Sequence, residues 1–417
     1  MTAALDLAFP SRYFVRFPTT SVWQFLPTFF WETDILPLLM NSVDFKAFRS
    51  VCRKFYLHSH CFTCDPLHPL LLFWDAPVFV GSWKARFDGG GVDALCPLSL
   101  SSSLFVAGFG DENCGQIWSV DVSPSLTSTL VKTLKGHTHG VNCICALPGH
   151  PTTQVITSST DKTLKIWNVS DGSCVRMLEG HTHWVMWVCV VPSSRAFGSG
   201  RDESDDLVAS GSWDDTVKVW NWKEGKCIAT LRGHKDWVRC VIAFDSQRIL
   251  SCSDDNTIKL WDLNHLSSSN ENDSSIQTYL GHTSWVLCLC LFDQQHFVSG
   301  SSDKTVKLWH IDQPNKPVCT LEGHEDSVRC VQVLEDYHPS SLWLEGRKLI
   351  LSGSNDHTVR VWVTSAMGDL SVNGECVKVL HVGASVWSLV VLENRFIVCG
   401  DNYGMISMWD VGFPSHL

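Results

Sequence analysis

The sequence predicts an all-β ring of seven four-stranded blades, a seven-bladed β-propeller, with a small α-helical segment ahead of it. Three observations carry the ring. The stretch "SSTDKTLKIWN" (158–168) returns as "GSWDDTVKVWN" (211–221), "SCSDDNTIKLWD" (251–262), "GSSDKTVKLWH" (300–310) and "GSNDHTVRVWV" (353–363). A Gly-His pair precedes every copy, and a hydroxyl residue stands ten positions before every tryptophan. Two weaker copies, ending on Trp118 and Trp409, extend the series to seven at a spacing of about 48 residues.

Each strong copy alternates apolar and polar residues up to its tryptophan ("TVKVW", "TIKLW"), the period of a strand with one face buried. The aspartate six residues earlier falls in a tight turn. The recurring sets are His137/Asp161/Trp167, His181/Asp214/Trp220, His234/Asp255/Trp261, His282/Asp303/Trp309 and His324/Asp356/Trp362, with Thr157, Ser210, Ser251, Ser299 and Ser352 as the hydroxyls. A serine, a histidine and an aspartate together invite a hydrolase reading. A catalytic set, however, occurs once per active site, and a fivefold set is architecture. Buried imidazole, carboxylate and indole must find partners, and these four residue types can satisfy one another. No Gly-x-Ser-x-Gly nucleophile elbow occurs, so no catalytic residue is assigned.

These repeats resemble the WD-repeat family of β-propellers over about residues 77–417, although the Trp-Asp dipeptide itself stands only at 261–262 and 409–410. After Trp409 only eight residues remain, which leaves the last blade short of a strand. The segment 77–95 aligns with 130–144, so a strand near 78–87 is expected to supply the outermost strand of that blade and lock the ring. Extra residues at 193–206, 264–276 and 335–347 are expected on one rim, leaving the short Gly-His and Asp turns on the other.

That short-turn rim is the expected binding face. Trp184, Trp237 and Trp285 follow the Gly-His turns of three successive copies, and Arg239 and Arg329 lie two residues beyond the equivalent position. An aromatic beside a guanidinium suits a short peptide bearing a phosphate or carboxylate. The alternative is that the tryptophans brace adjacent turns and the arginines pair with carboxylates such as Asp236 or Asp326.

Ahead of the propeller the character changes. Residues 1–22 carry no assignable role, 23–60 form the helical module and 61–76 a linker. Phe48, Val51, Cys52 and Phe55 follow the i, i+3, i+4, i+7 pattern of an amphipathic helix. "FRSVCRKFY" resembles the second half of an F-box, the small module that joins substrate receptors to ubiquitin ligases. That resemblance implies a Skp-type adaptor and a cullin complex as partners, with those four residues facing the adaptor. A helical cap packed on the propeller is the alternative. The cluster His58, His60, Cys61, Cys64 and His68 lacks the second pair of a zinc site and reads as a turn.

Composition narrows the function classes. The 417 residues are 44% hydrophobic and 18% charged with a net charge of −11, a folded chain with no long basic run, which argues against nucleic acid as partner. Asp6, Arg12 and Arg16 interrupt the opening segment, so neither a signal peptide nor a membrane span is expected. Cysteines such as Cys143, Cys145, Cys240, Cys288, Cys290 and Cys330 sit among apolar residues as small hydrophobes, which fits a reducing cytoplasm or nucleus. No phosphate-cradling loop or His-Glu-x-x-His occurs, and no cofactor or metal is expected.

Overall fold

The computed structural model describes residues 6–8, 14–16, 78–84, 91–98, 104–109, 113–121, 127–148, 153–192, 207–265, 275–335, 348–364, 374–392 and 395–410. The chain divides into two units, Met1–Phe73 and Trp74–Leu417. In the first, Asp6–Ala8 pairs antiparallel with Phe14–Arg16. The expected helix with Phe48, Val51, Cys52 and Phe55 and the His58–His68 cluster lie outside the described residues.

The second unit holds seven antiparallel four-stranded sheets. Blades 1 to 6 take 92–135, 141–178, 185–231, 238–279, 286–321 and 328–381, each ordered from inner to outer strand along the chain. Blade 7 has Val386–Leu392, Phe396–Asp401 and Met405–Asp410, and its fourth strand is Val78–Lys84, paired so that Phe79 faces Trp409. The inner strands touch in a closed cycle, Val386–Leu392 meeting Val92–Pro97. Second strands such as Leu207–Ser212 and His296–Ser301 are buried throughout, because a blade covers each of their faces. The outer strand Cys174–Leu178 buries only its last residue.

The core lies between blades. Tyr279 and Leu260 of blade 4 pack with Phe297 and Trp309 of blade 5. Across the closure, Phe105, Phe109 and Trp118 of blade 1 pack with Phe396, Val398 and Met408 of blade 7. Second-strand glycines let blades approach: a Cβ on Gly400 would stand 2.5 Å from the Val92 side chain. Ser388 adds a hydrogen bond of 2.8 Å to the Val92 carbonyl, so the seam is bonded as well as packed.

Inside each strong blade the four recurring residues form one hydrogen-bonded chain. In blade 5, Trp309 Nε1 donates to Ser299 Oγ (2.8 Å), Ser299 Oγ meets His282 Nε2 (2.7 Å), and His282 Nδ1 meets Asp303 Oδ2 (2.7 Å). The Thr283 amide donates to Asp303 Oδ2, and the Thr305 amide and hydroxyl donate to Oδ1. The other strong blades repeat this chain. Trp167 donates to Thr157, Trp220 to Ser210, Trp261 to Ser251 and Trp362 to Ser352, each at 2.8 Å. Those hydroxyls meet His137, His181, His234 and His324 in turn. The same imidazoles reach Asp161, Asp214, Asp255 and Asp356 through Nδ1.

The five tryptophans are core residues that present nothing to a partner, since none is more than 1% exposed. Each ring packs against the blade before its own. Trp167 meets Ile117 and Leu134 of blade 1, and Trp220 meets Ile156 and Leu164 of blade 2. Trp261 lies with Val217 and Val219 of blade 3, and Trp362 with Val306 and Leu308 of blade 5. The indole thus has two duties, an apolar face that joins neighbouring blades and an N–H that anchors its own.

Two backbone features shape these turns. The next residue after each aspartate (Lys162, Asp215, Asn256, Lys304 or His357) holds a left-handed φ of 62–73°, the tight turn that lets the aspartate cap its own threonine. The glycine of each Gly-His pair has φ of 149–154°, and a Cβ on Gly136, Gly180 or Gly281 would stand 3.1–3.2 Å from the blade's tryptophan ring. Glycine is required there by both conformation and contact.

All five hydroxyls are fully buried and engaged by indole and imidazole, so none can reach a substrate. Burial works to raise the carboxyls of Asp161, Asp214, Asp255, Asp303 and Asp356, but the imidazole, hydroxyl and amide donors outweigh it and hold all five below the usual carboxylate range. Burial lowers His181, His282 and His324 despite their aspartates. With these imidazoles neutral, each Nδ1–H donates to aspartate and each Nε2 accepts from the hydroxyl, which satisfies the whole chain.

Asp303→Ala leaves the buried His282 donor without an acceptor and should cost about 3 kcal/mol of stability, with Asp303→Asn milder, checked by denaturant unfolding. A histidine lowered in the folded state gives stability that is complete above its unfolded value near 6.5 and lost below it. The melting temperature should therefore fall as pH drops from about 6.5 toward 5, and again below about 4 as the aspartates protonate. A flat or rising profile between pH 7 and 5.5 would contradict neutral imidazoles. Deleting residues 1–90 should remove amide-exchange protection from 396–410, whereas full protection there would show that Val78–Lys84 does not hold blade 7.

Candidate protein-interaction face

Antiparallel order places the fourth-to-first turns and the second-to-third turns on one rim. The strands joined by 193–206, 266–274 and 336–347 end on the opposite rim, and those three segments lie outside the described residues. The short-turn rim is built from two backbone devices. First, in blades 2 to 7 the residue just before the inner strand accepts a hydrogen bond from the turn between second and third strands, as in Trp213 N to Trp184 O, Asp254 N to Trp237 O, Ser302 N to Trp285 O and Asn355 N to Ser327 O. Second, every inner strand slips register at its second residue, a bulge that places one side chain per blade near this rim. The bulged residues are Asp93, Asn142, Met186, Arg239, Leu287, Arg329 and Trp387.

Blades 3 to 5 make the aromatic part. Trp213 stacks on Trp237 at 3.7 Å and 6°, and Trp184 leans on Trp213 at 4.3 Å. Arg239 stands 4.9 Å from the Trp213 ring, 5.3 Å from Trp237 and 5.9 Å from Trp285. Its guanidinium is held bidentate by Asp254, Nε to Oδ1 at 2.8 Å and Nη2 to Oδ2 at 2.6 Å, and the Asp254 side chain is almost fully enclosed. Trp184 and Trp285 remain 38% and 50% exposed.

Arg329 is held differently. Its Nε donates to the neutral amide of Asn355 at 3.3 Å, and its guanidinium lies 5.7 Å from the Trp387 ring. Among the described residues no carboxylate forms a salt bridge with it. Burial first, then the charge of Arg239, lowers its affinity for the proton, with Asp93 opposing. Gly91 stands where other blades carry Trp184 or Trp237, and a Cβ there would meet Trp387 at 2.5 Å. Glycine thus makes room for that indole.

The structure brings Trp184, Trp237, Trp285 and Arg239 together and places Arg329 in separate surroundings. Trp213, Asp254 and Trp387 were not singled out from the sequence. Trp213 and Asp254 share one slot, the residue before the turn aspartate, so comparing repeats there would have exposed them. The anticipated partners Asp236 and Asp326 instead cap the amides of Trp237 and Ser327. In blade 1 the indole of Trp118 finds Gln116 in place of a hydroxyl, and Glu112 lies outside the described residues. Cys143, Cys240, Cys288 and Cys330 are buried, while Cys145 and Cys290 are half-buried; burial pushes Cys290 and Cys330 up to about 12, so both stay thiols.

Comparison with known proteins agrees with this geometry. The WD40 model (WD domain, G-beta repeat) matches residues 128–168, 172–221, 225–262, 273–310 and 315–363. Nuclear distribution protein PAC1 of Arthroderma benhamiae is 30% identical over 312 residues, 70% of this chain and 60% of that protein. The chain therefore spans about 60% of the length of such curated relatives. DENN domain and WD repeat-containing protein SCD1 of Arabidopsis thaliana is 29% identical over 135 residues, 32% of this chain and 10% of that protein. The crystal structure of the WD40 β-propeller domain of Doa1 superposes with a TM-score of 0.59 at 25% identity, covering 80% of this chain and 96% of that one. Five matched repeats within seven closed blades make the chain a member of the WD40 family.

Proposed function

We propose that this chain is the substrate-recognition subunit of a ubiquitin ligase of the Skp-type adaptor and cullin class, holding target proteins on the short-turn rim. The observation that carries the recognition half is Arg329. It is a half-buried guanidinium with a neutral amide and an indole as neighbours, which suits an incoming carboxylate or phosphate. The ligase half rests on the amphipathic pattern of Phe48, Val51, Cys52 and Phe55 and its resemblance to an F-box. Arg239, Trp237, Trp184 and Trp285 belong to the same face, with Arg239 acting as the brace that positions the indoles.

A second reading is a scaffold that assembles a complex unrelated to ubiquitin. It is favoured by the relatives named as nuclear distribution proteins. Affinity purification of the full chain separates the two. An adaptor and a cullin should co-purify and be lost with Val51→Asp and Phe55→Asp, at unchanged melting temperature. Their absence from the wild-type purification would select the scaffold.

The two arginines should also separate. Arg329→Ala should lose acidic or phosphorylated partners while the melting temperature stays within a degree or so of wild type. Arg239→Ala strands the enclosed Asp254 and should cost about 3–5 kcal/mol of stability. If both variants melt alike and keep every partner, the anion site lies elsewhere.

A further inference from the structure

The aromatic part of the rim has an electrostatic character opposite to that of Arg329. The charge of Arg239 is matched by Asp254. Two further carboxylates lie in the turns that carry these indoles. Asp215 occupies the left-handed turn position two residues after Trp213, and Asp236 immediately precedes Trp237 and caps its amide. Neither forms a salt bridge among the described residues, and the exposed Lys235 pairs with neither. Burial first, then the charges of Asp236 and Asp214, push the Asp215 carboxyl up. A surface of tryptophan faces flanked by two unmatched carboxylates repels an anion and favours a cation.

We propose that the edge formed by Trp184, Trp213, Trp237 and Trp285 with Asp215 and Asp236 is a docking site for a basic side chain, arginine or lysine, of a protein partner. This rests on the reading of the rim as a protein-binding face, and adds to it a second subsite of opposite charge. The aliphatic stem of such a side chain covers the exposed indoles of Trp184 and Trp285, and its charged head meets Asp215 and Asp236. Buried Trp213 Nε1 has no hydrogen-bond partner among the described residues, so this inner indole serves through its face.

The test uses the full chain with ¹⁵N-labelled indoles and two tripeptide probes, acetyl-Gly-Arg-Gly-amide and the same peptide with citrulline, the neutral isostere of arginine. Resonances are assigned from Trp184→Phe and Trp285→Phe. The arginine probe should shift the Nε1–H signals of Trp184 and Trp285, with the citrulline probe weaker by about tenfold. Asp215→Asn with Asp236→Asn should weaken the arginine response by a similar factor at unchanged melting temperature. Trp285→Ala, at an exposed position, should weaken both probes. Equal responses to the two probes, no response to arginine at 50-fold or so molar excess, or a stronger response to a phosphoserine tripeptide at these indoles would overturn the proposal. If the adaptor co-purifies while the arginine probe fails, this subsite alone is refuted. If the probe binds and no adaptor is found, only the ligase reading falls.

Discussion

In blades 2 to 6 the turns of the short-turn rim hang from one buried hydroxyl each. Ser299 sits on a second strand, accepts from Trp309 on the third, and meets His282 in the turn that leads into the first. His282 in turn fixes Asp303, which caps the turn between second and third strands. One oxygen therefore ties three segments of a sheet to both turns of the rim. Because burial keeps imidazoles such as His282 neutral, the arrangement is a chain of directed donors and not a buried ion pair. It avoids the desolvation cost of two charges, and it fixes direction as well as distance.

Sequence spacing revealed this much because the chain is repeated, and repetition turns a weak local pattern into a strong one. The closing strand was also legible, since the residues after Trp409 were too few to complete a blade. The face was only partly legible. Arg239, Arg329 and Trp387 stand at bulges of inner strands, and a bulge shifts which side chain reaches the rim without leaving any periodic signal. Asp254 looks like an ordinary turn residue beside Asp255, yet its side chain points back to Arg239. Trp387 was hidden by the irregular approach to blade 7, where the Gly-His pair is absent and Gly91 on the neighbouring blade had to be read together with it.

Comparing blades 4 and 6 shows how a repeat fold acquires individuality. Both present an arginine at the same bulge and a polar residue at the same facing slot. In blade 4 the slot holds Asp254 and the guanidinium becomes part of the scaffold. In blade 6 it holds Asn355, and an amide cannot cancel the charge. A single carboxylate-to-amide difference separates a guanidinium locked in an ion pair from one that meets a neutral amide, at the same bulge of the repeat. The fold is thus tolerant where residues meet solvent and strict where the hydroxyl chains run.

The strand Val78–Lys84 has a consequence for how the protein is made. Its partners in Met405–Asp410 lie roughly 330 residues further along, among the longest-range pairings a chain of this size can contain. At ribosomal rates the interval between the two is on the order of tens of seconds. Throughout that time blades 1 to 6 can form in succession, but the early strand has no sheet to join and the first blade lacks its neighbour. A growing chain therefore exposes two strand edges and an apolar seam containing Val92, Phe105 and Phe109 until its final segment emerges. Synthesis halted before that point yields an open arc with adhesive ends, and the cell must either shield such arcs or remove them.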